Sequence, residues 1–301
     1  MNIDKMNADF GIGDQLRIVE GKGGFPMIEL DTGKARALIS TYAGQVLCYR
    51  PVEQAEDLLF LSETAYYAPG KAIKGGIPVC WPWFGPDPEG KGRPGHGFVR
   101  NRPWNLLATE ALADGRIGVR LGLSDSEETR EIWPQAFELE LRATVGDTLK
   151  IVLITRNKGA AAFDISQGLH TYFRVGDIGQ VQVQGLDGKT YIDKMDGGAE
   201  KQQQGAVQID SEVDRIYTGV NDKLEIQDQV LGRSIRIVTA GSASAVVWNP
   251  WADTAASMGD LGDEDYKSML CVETTNAGPD VVSVATGGEH RMSAEYGVAG
   301  L

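Results

Sequence analysis

The chain reads as an all-β protein, one large antiparallel sandwich, and three observations predict it. Glycine supplies 38 of 301 residues, well above the usual ~7%, and so many turn-formers imply many short strands. No segment keeps a 3.6-residue apolar period for three turns. No composition break or Pro/Ser-rich linker divides residues 1–301, which are therefore read as a single domain.

Residues 1–15 are polar and are expected to be loosely ordered. Runs with strand character follow at 16–20, 26–31, 35–41 and 45–50, separated by Gly and Asp-Thr-Gly punctuation. A further short apolar run lies at 58–61. Residues 106–112 and 117–123 flank Ala-Asp-Gly-Arg, a hairpin turn. In 137–145, Phe137, Leu139 and Leu141 alternate with Glu138, Glu140 and Arg142. After Gly146 and Asp147 the run 149–155 returns, completing the clearest hairpin of the chain. That return run is apolar on both faces after Lys150, as expected of a strand between two layers. Runs at 162–175, 181–184, 223–227, 234–239, 245–248, 269–274, 281–286 and 290–296 bring the total to about fifteen to twenty short strands, as an antiparallel sandwich requires. Residues 250–267 are the one segment expected to hold a helical turn or two, interrupted by Gly259 and Gly262.

The net charge is −13. Nucleic acid and anionic membrane surfaces are therefore not expected as partners, since both need an extended basic face. Cys48, Cys80 and Cys271 are odd in number and show no CxxC spacing. That fits a reducing compartment and argues against a disulfide framework or zinc ribbon. The opening MNIDKMNADFGIGD carries no apolar h-region, and no run of ~18 apolar residues exists to span a membrane. The expectation is a cytoplasmic monomer.

Residues 74–104, KGGIPVCWPWFGPDPEGKGRPGHGFVRNRPW, invert the charge of the chain. From Lys71 to Trp104 stand Lys71, Lys74, Lys91, Arg93, Arg100 and Arg102 against only Asp87 and Glu89. Gly and Pro forbid a long helix there. A surface linker would not carry Ile77, Val79, Trp81, Trp83 and Phe84 as well. Aromatic faces beside cations make a floor for a polar ring bearing an anion, with Trp81 and, further on, Trp251 as candidate contacts.

Histidine is scarce. His96 lies between two glycines, where backbone or ligand can approach closely. His170, in Gly-Leu-His-Thr-Tyr-Phe, is placed on a strand, with Leu169 and Thr171 facing away from it. His290 lies in a polar late strand and reads as a surface residue. Each of the first two, taken alone, could equally be a structural histidine. Glu273 follows Met-Leu-Cys-Val, where a carboxylate is costly unless hydrogen-bonded or used. Alternation puts it on one face with Cys271, and partial desolvation raises its pKa toward that of a working base. The cluster Asp260, Asp263, Glu264 and Asp265 lacks the EF-hand pattern and reads as a solvated loop. There is no GxGxxG opening a helix, no GxxxxGK[ST], HExxH, GxSxG or His-x-His.

The blocks GGIPVCWPWFGP, HGFVRNRPW, QGLHTYFRVGD, EVDRIY, VWNPW and MLCVETTNAGP, in this order, resemble the hexose-6-phosphate mutarotases (glucose-6-phosphate 1-epimerases) of the galactose mutarotase-like group. The likeness runs from about Gly75 to Pro279. It implies a β-supersandwich and an epimerase that needs no cofactor and no metal. It implies His170 as general acid, Glu273 as general base and His96 as a second active-site histidine. It also implies Asp214 as a sugar-hydroxyl ligand and Arg100 as a phosphate ligand, with Lys74 beside it. Some relatives have Arg where Lys74 stands and Gln where Gly95 stands. Lysine keeps the charge but loses the bidentate fork.

The implied reaction takes a proton from the C1 hydroxyl and gives one to the ring oxygen. The ring opens, C1–C2 rotates, and the steps reverse. One carboxylate and one imidazole suffice. The alternatives are an aldose 1-epimerase acting on free sugars, a glycoside hydrolase using Glu273 and an Asp, and a non-catalytic carbohydrate-binding protein. Incubation with a glycoside and with a pure anomer separates them.

Overall fold

The computed structural model describes residues 2–220 and 223–301. Two large antiparallel sheets dominate it. The nine-stranded sheet runs, from edge to edge, Val207–Gln208, Val181–Gln184, Leu224–Asp228, Arg233–Ala240, Glu289–Gly300, Leu149–Asn157, Phe137–Val145, Ile117–Ser124 and Asn105–Ala111. Its hairpins are those expected from the Ala-Asp-Gly-Arg and Gly-Asp turns. The eight-stranded sheet runs Ala199–Gln202, Thr190–Asp193, Val213–Thr218, Ser244–Asn249, Met269–Asn276, Gln167–Leu169 and Val79–Cys80, with Tyr172–Arg174 also paired to Met269–Asn276.

Alternation decides what each sheet buries. Val213, Tyr217, Val247, Leu270, Val272 and Leu169 of the eight-stranded sheet join Leu141, Leu153, Ile235 and Ala294 of the nine-stranded sheet in one core. Each such aliphatic side chain contributes about 1.5–3 kcal/mol by leaving water. The residues between them, Val246, Trp248, Cys271 and Glu273, therefore face the other way, and that second face carries the site. Polar pins cross the core. Trp81 Nε1 donates to Thr155 Oγ1 at 3.1 Å, and the Thr171 and Tyr296 hydroxyls pair at 2.7 Å.

A four-stranded sheet, Leu16–Glu20, Pro26–Asp31, Ala35–Ser40 and Gln45–Pro51 in sequence order, packs Leu16, Ile18, Ile28 and Ile39 into the same core. Its edge strand corrects one expectation. Residues 3–10 are not loose but form a helix, Ile3–Phe10, capped by the Asn2 side chain on the Lys5 N–H. The Asn7 carboxamide accepts from the Ile18 N–H at 2.8 Å and donates to the Ile18 carbonyl at 2.7 Å. The open edge of Leu16–Glu20 is thereby satisfied, and the helix is tied down. A helix Trp251–Ser257 and a 3-10 turn Asp265–Ser268 occupy the segment expected to be helical. The capped helix Glu127–Ile132 was not anticipated. Among the described residues, no helix is long and apolar enough to cross a membrane.

Candidate active site

Strand register assembles the site. Gln167–Leu169 and Tyr172–Arg174 both pair with Met269–Asn276, Leu169 opposite Thr274 and Tyr172 opposite Cys271. Counting inward from both ends sets His170 opposite Glu273. The expected strand is thus broken at His170, which sits in the two-residue gap, its N–H donating to the Pro78 carbonyl at 2.9 Å. The gap frees the imidazole from the ladder without losing register. On the far side of Glu273 lies Val246.

A second row, two residues away and so on the same face, runs Tyr172, Cys271, Trp248 and Asp214. Asp193 pairs with Arg215, so the next residues along place Lys194 beside Asp214. Lys194 Nζ is 3.2 Å from Asp214 Oδ2.

The Gly- and Pro-rich stretch forms the opposite wall. Gly97 has left-handed backbone (φ +73°), and a methyl group there would lie 1.7 Å from the Trp81 carbonyl oxygen. Only glycine permits that approach. Its neighbour His96 is held with φ 62°. The His96 N–H donates to the Gly85 carbonyl at 2.7 Å, and the Gly85 N–H donates back to His96 Nδ1 at 3.4 Å. Nδ1 is therefore the acceptor, and the ring proton sits on Nε2.

Six of the expected site residues, Lys74, His96, Arg100, His170, Asp214 and Glu273, line one cavity of about 250 Å³. Phe84, Tyr172, Lys194, Val246, Trp248 and Met258 complete it. The two expected tryptophans do not. Trp81 is fully buried among Phe98, Trp133 and Phe137. Its indole N–H is spent on Thr155, so it holds the core instead of a ligand. Trp251 begins the helix after the strand has ended, with left-handed backbone, and packs on Tyr266. Phe84 and Trp248 supply the aromatic walls in their place.

Glu273 is 2% exposed and His170 8%. His170 Nε2 and Glu273 Oε1 are 3.5 Å apart, while His170 Nδ1 and Glu273 Oε2 are buried without a partner. Burial pushes Glu273 well above the usual carboxylate range, helped by Asp214 and opposed by Arg100 and Lys194. Burial pushes His170 well down, as do His96, Arg100 and Lys74. His96 is pushed down to about 3 by burial and by the same cations. Burial thus works against the charged form of all three groups.

The cations are not equally free. Lys74 Nζ lies 3.5 Å from Asp260, so that acidic loop is not purely solvated, and Lys194 is held by Asp214. Among the described residues, Arg100 makes one hydrogen bond, Nη2 to the Gly95 carbonyl at 3.1 Å, and its buried Nε has no partner. His290, expected at the surface, is half-buried and far in sequence and sheet from the cavity, on Glu289–Gly300 opposite Thr155.

One ligand set was invisible as spacing. His170, Cys271 and Glu273 each offer an atom within 4.8 Å of the other two, and all three are buried.

The aldose 1-epimerase family profile matches residues 26–297. A protein of Escherichia coli (strain K12) named "Putative glucose-6-phosphate 1-epimerase" is 38% identical over 252 residues, 83% of each chain. One of the same name from Cenchrus ciliaris is 38% identical over 252 residues, covering 79% of this chain and 74% of its own. The solved structure of "a putative mutarotase" from Salmonella typhimurium is similar with TM-score 0.89 and 32% identity over 99% of both chains. A profile match that begins in the second strand and ends in the last one spans both large sheets and every residue lining the cavity, and the chain belongs to the aldose 1-epimerase family.

Proposed function

We propose that the chain interconverts the α and β anomers of a hexose 6-phosphate. One observation carries this reading: an imidazole and a carboxyl face each other in the same small cavity as three cations. Neutral His170 with neutral Glu273 and imidazolium with carboxylate hold the same number of protons. Moving that one proton from Glu273 to His170 makes the working pair without exchange with solvent. Glu273 then takes the C1 hydroxyl proton while His170 protonates the ring oxygen. The C1–O bond to the ring breaks and the C1 carbonyl forms. After rotation about C1–C2 the roles exchange: His170 takes the proton back from the ring-forming hydroxyl, which attacks C1, and Glu273 gives its proton to the carbonyl oxygen. His96, neutral and carrying its proton on Nε2, is a hydrogen-bond donor that orients the sugar. Asp214 accepts from a sugar hydroxyl, and Trp248 and Tyr172 give the ring an apolar wall.

Arg100 is the primary phosphate anchor, because its charge is uncompensated and its Nε is unused. Lys74 and Lys194 add point charges once phosphate competes with Asp260 and Asp214. The test is anomer exchange of glucose 6-phosphate and of glucose, followed by NMR magnetisation transfer. Faster exchange of the phosphate ester supports the reading. A preference for the free sugar makes the chain an aldose 1-epimerase of free hexoses, and no acceleration of either leaves only sugar binding.

A further inference from the structure

His170, Cys271 and Glu273 form a triad in which the acid–base chemistry makes no use of Cys271. Cys271 lies on the same face as Glu273, two residues back, and opposite Tyr172. Its Sγ is within 4.8 Å of a ligand atom on each of the other two. Thiol, imidazole and carboxylate are together the donor set of a borderline-soft divalent ion, and hard ions such as Mg²⁺ and Ca²⁺ prefer oxygen alone. A tetrahedral zinc ion, bonded at about 2.0–2.3 Å, holds its ligand atoms roughly 3.3–3.8 Å apart. The His170–Glu273 separation, 3.5 Å, already matches. The remaining nitrogen and oxygen of the same two side chains, His170 Nδ1 and Glu273 Oε2, are buried without a partner, so neither group is committed to another bond.

We propose that this triad binds a zinc-type divalent cation, and that the ion is an inhibitor. On binding, the Cys271 thiol and the Glu273 carboxyl each release a proton to solvent. Thiolate and carboxylate then cancel the two charges of the ion, so no net charge is buried, and the neighbouring Arg100, Lys74 and Lys194 meet a neutral complex. His170 and Glu273 line the cavity while Cys271 is buried beside them, and three protein ligands leave a fourth position for water or sugar. An ion seated there occupies the lone pairs of both groups that move protons, and it enters by the opening the sugar uses. Inhibition is therefore competitive with sugar.

The experiment titrates the full-length protein with Co²⁺, a spectroscopic substitute for Zn²⁺, and follows the thiolate-to-cobalt charge-transfer absorption in the near ultraviolet. One equivalent is expected to produce the band. Cys271→Ala abolishes it, and Cys80→Ala, which alters another buried thiol, keeps it. Zinc inhibition, read against each variant's own uninhibited rate, weakens at least about tenfold in Cys271→Ala, since even an outer-sphere partner of a metal site is worth 10–100-fold. Should Cys271→Ala not fold, Glu273→Gln and His170→Asn must each weaken cobalt binding in the same spectral assay. The proposal is overturned by absence of the band in the wild type, by its persistence in Cys271→Ala, or by equal zinc sensitivity of wild type and variant. The inhibition arm rests on the mutarotase reading and the cobalt band does not, so a band without any turnover would sink that reading and leave the site standing.

Discussion

Arg100→Ala is the sharpest test of phosphate recognition. Lys74 and Lys194 already have carboxylate partners, at 3.5 and 3.2 Å. Arg100 has only the Gly95 carbonyl, at 3.1 Å, and an idle buried Nε. A phosphate meeting Arg100 displaces no carboxylate, whereas meeting either lysine costs an existing ion pair. The loss on truncation is that of one charge-assisted hydrogen-bonding group, about 1.5–3 kcal/mol, or roughly tenfold to hundredfold. Arg100 also depresses the proton affinity of both His170 and Glu273. Its removal therefore changes the chemical step for every sugar, and a single rate would mislead. The informative quantity is the ratio of kcat/KM for hexose 6-phosphate to that for the free hexose, in which the shared effect cancels. That ratio is expected to fall by about tenfold to hundredfold. Both rates falling by the same factor would show that Arg100 supports the wall and does not hold phosphate.

Glu273→Gln keeps the shape of the side chain and removes its basicity, so anomer exchange should drop by at least ~10²-fold; near-normal exchange would remove Glu273 from the mechanism. His170→Asn should lose turnover more than binding, and His96→Asn chiefly affinity, with the opposite pattern exchanging their roles. For a free hexose, which lacks the phosphate's own ionisation near pH 6, kcat/KM should be flat through neutrality. A second proton enters the pair only below the ordinary histidine range, because burial, His96, Arg100 and Lys74 lower His170. The alkaline fall reports Glu273, raised by burial and Asp214 against the pull of Arg100 and Lys194. A lone acid limb at the ordinary histidine pKa would contradict this picture. Trp81→Ala should cost about 3–5 kcal/mol in denaturant unfolding, as for other buried tryptophans; a loss of sugar affinity with unchanged stability would restore it to the pocket. Dialysis against a chelator should leave activity intact, and lost activity regained with one divalent ion would count against the mechanism.

The strands around the two hairpins were legible because Phe137–Val145 alternates over nine residues, its partner is a continuous apolar run, and both turns are strong. Helix Ile3–Phe10 was not, because what stabilises it is the Asn7 carboxamide on Ile18, a contact with no sequence signature. In the site, His170, Glu273 and His96 stood out as polar residues in apolar or Gly-rich settings, and Arg100 as part of a basic stretch, while their roles came from the family resemblance. Lys194 could not. Its neighbourhood, Tyr-Ile-Asp-Lys-Met-Asp, is ordinary, and only the pairing of Thr190–Asp193 with Val213–Thr218 brings it to Asp214. The positive stretch around Arg100 is therefore not the sole source of charge at the pocket. Trp81 and Trp251 misled for a related reason: a tryptophan's composition argues equally for a core and for a sugar platform, and only the direction of the side chain decides.

Gly97 divides the pocket into a half that can change and a half that cannot. With the Trp81 carbonyl where its first side-chain atom would go, the His96 loop is welded to the centre of the molecule. Insertions or bulkier residues there are paid for in folding before they can alter chemistry. Lys194 and Asp214 stand on the other wall, toward the outer strands of the eight-stranded sheet and partly open to water. Substitutions at those two positions reshape the rim without disturbing the packed core, and they reach the chemistry only through the field they set on Glu273. A laboratory search for new sugar preference belongs on that rim, with the histidine loop left as the fixed jaw against which new substrates are fitted.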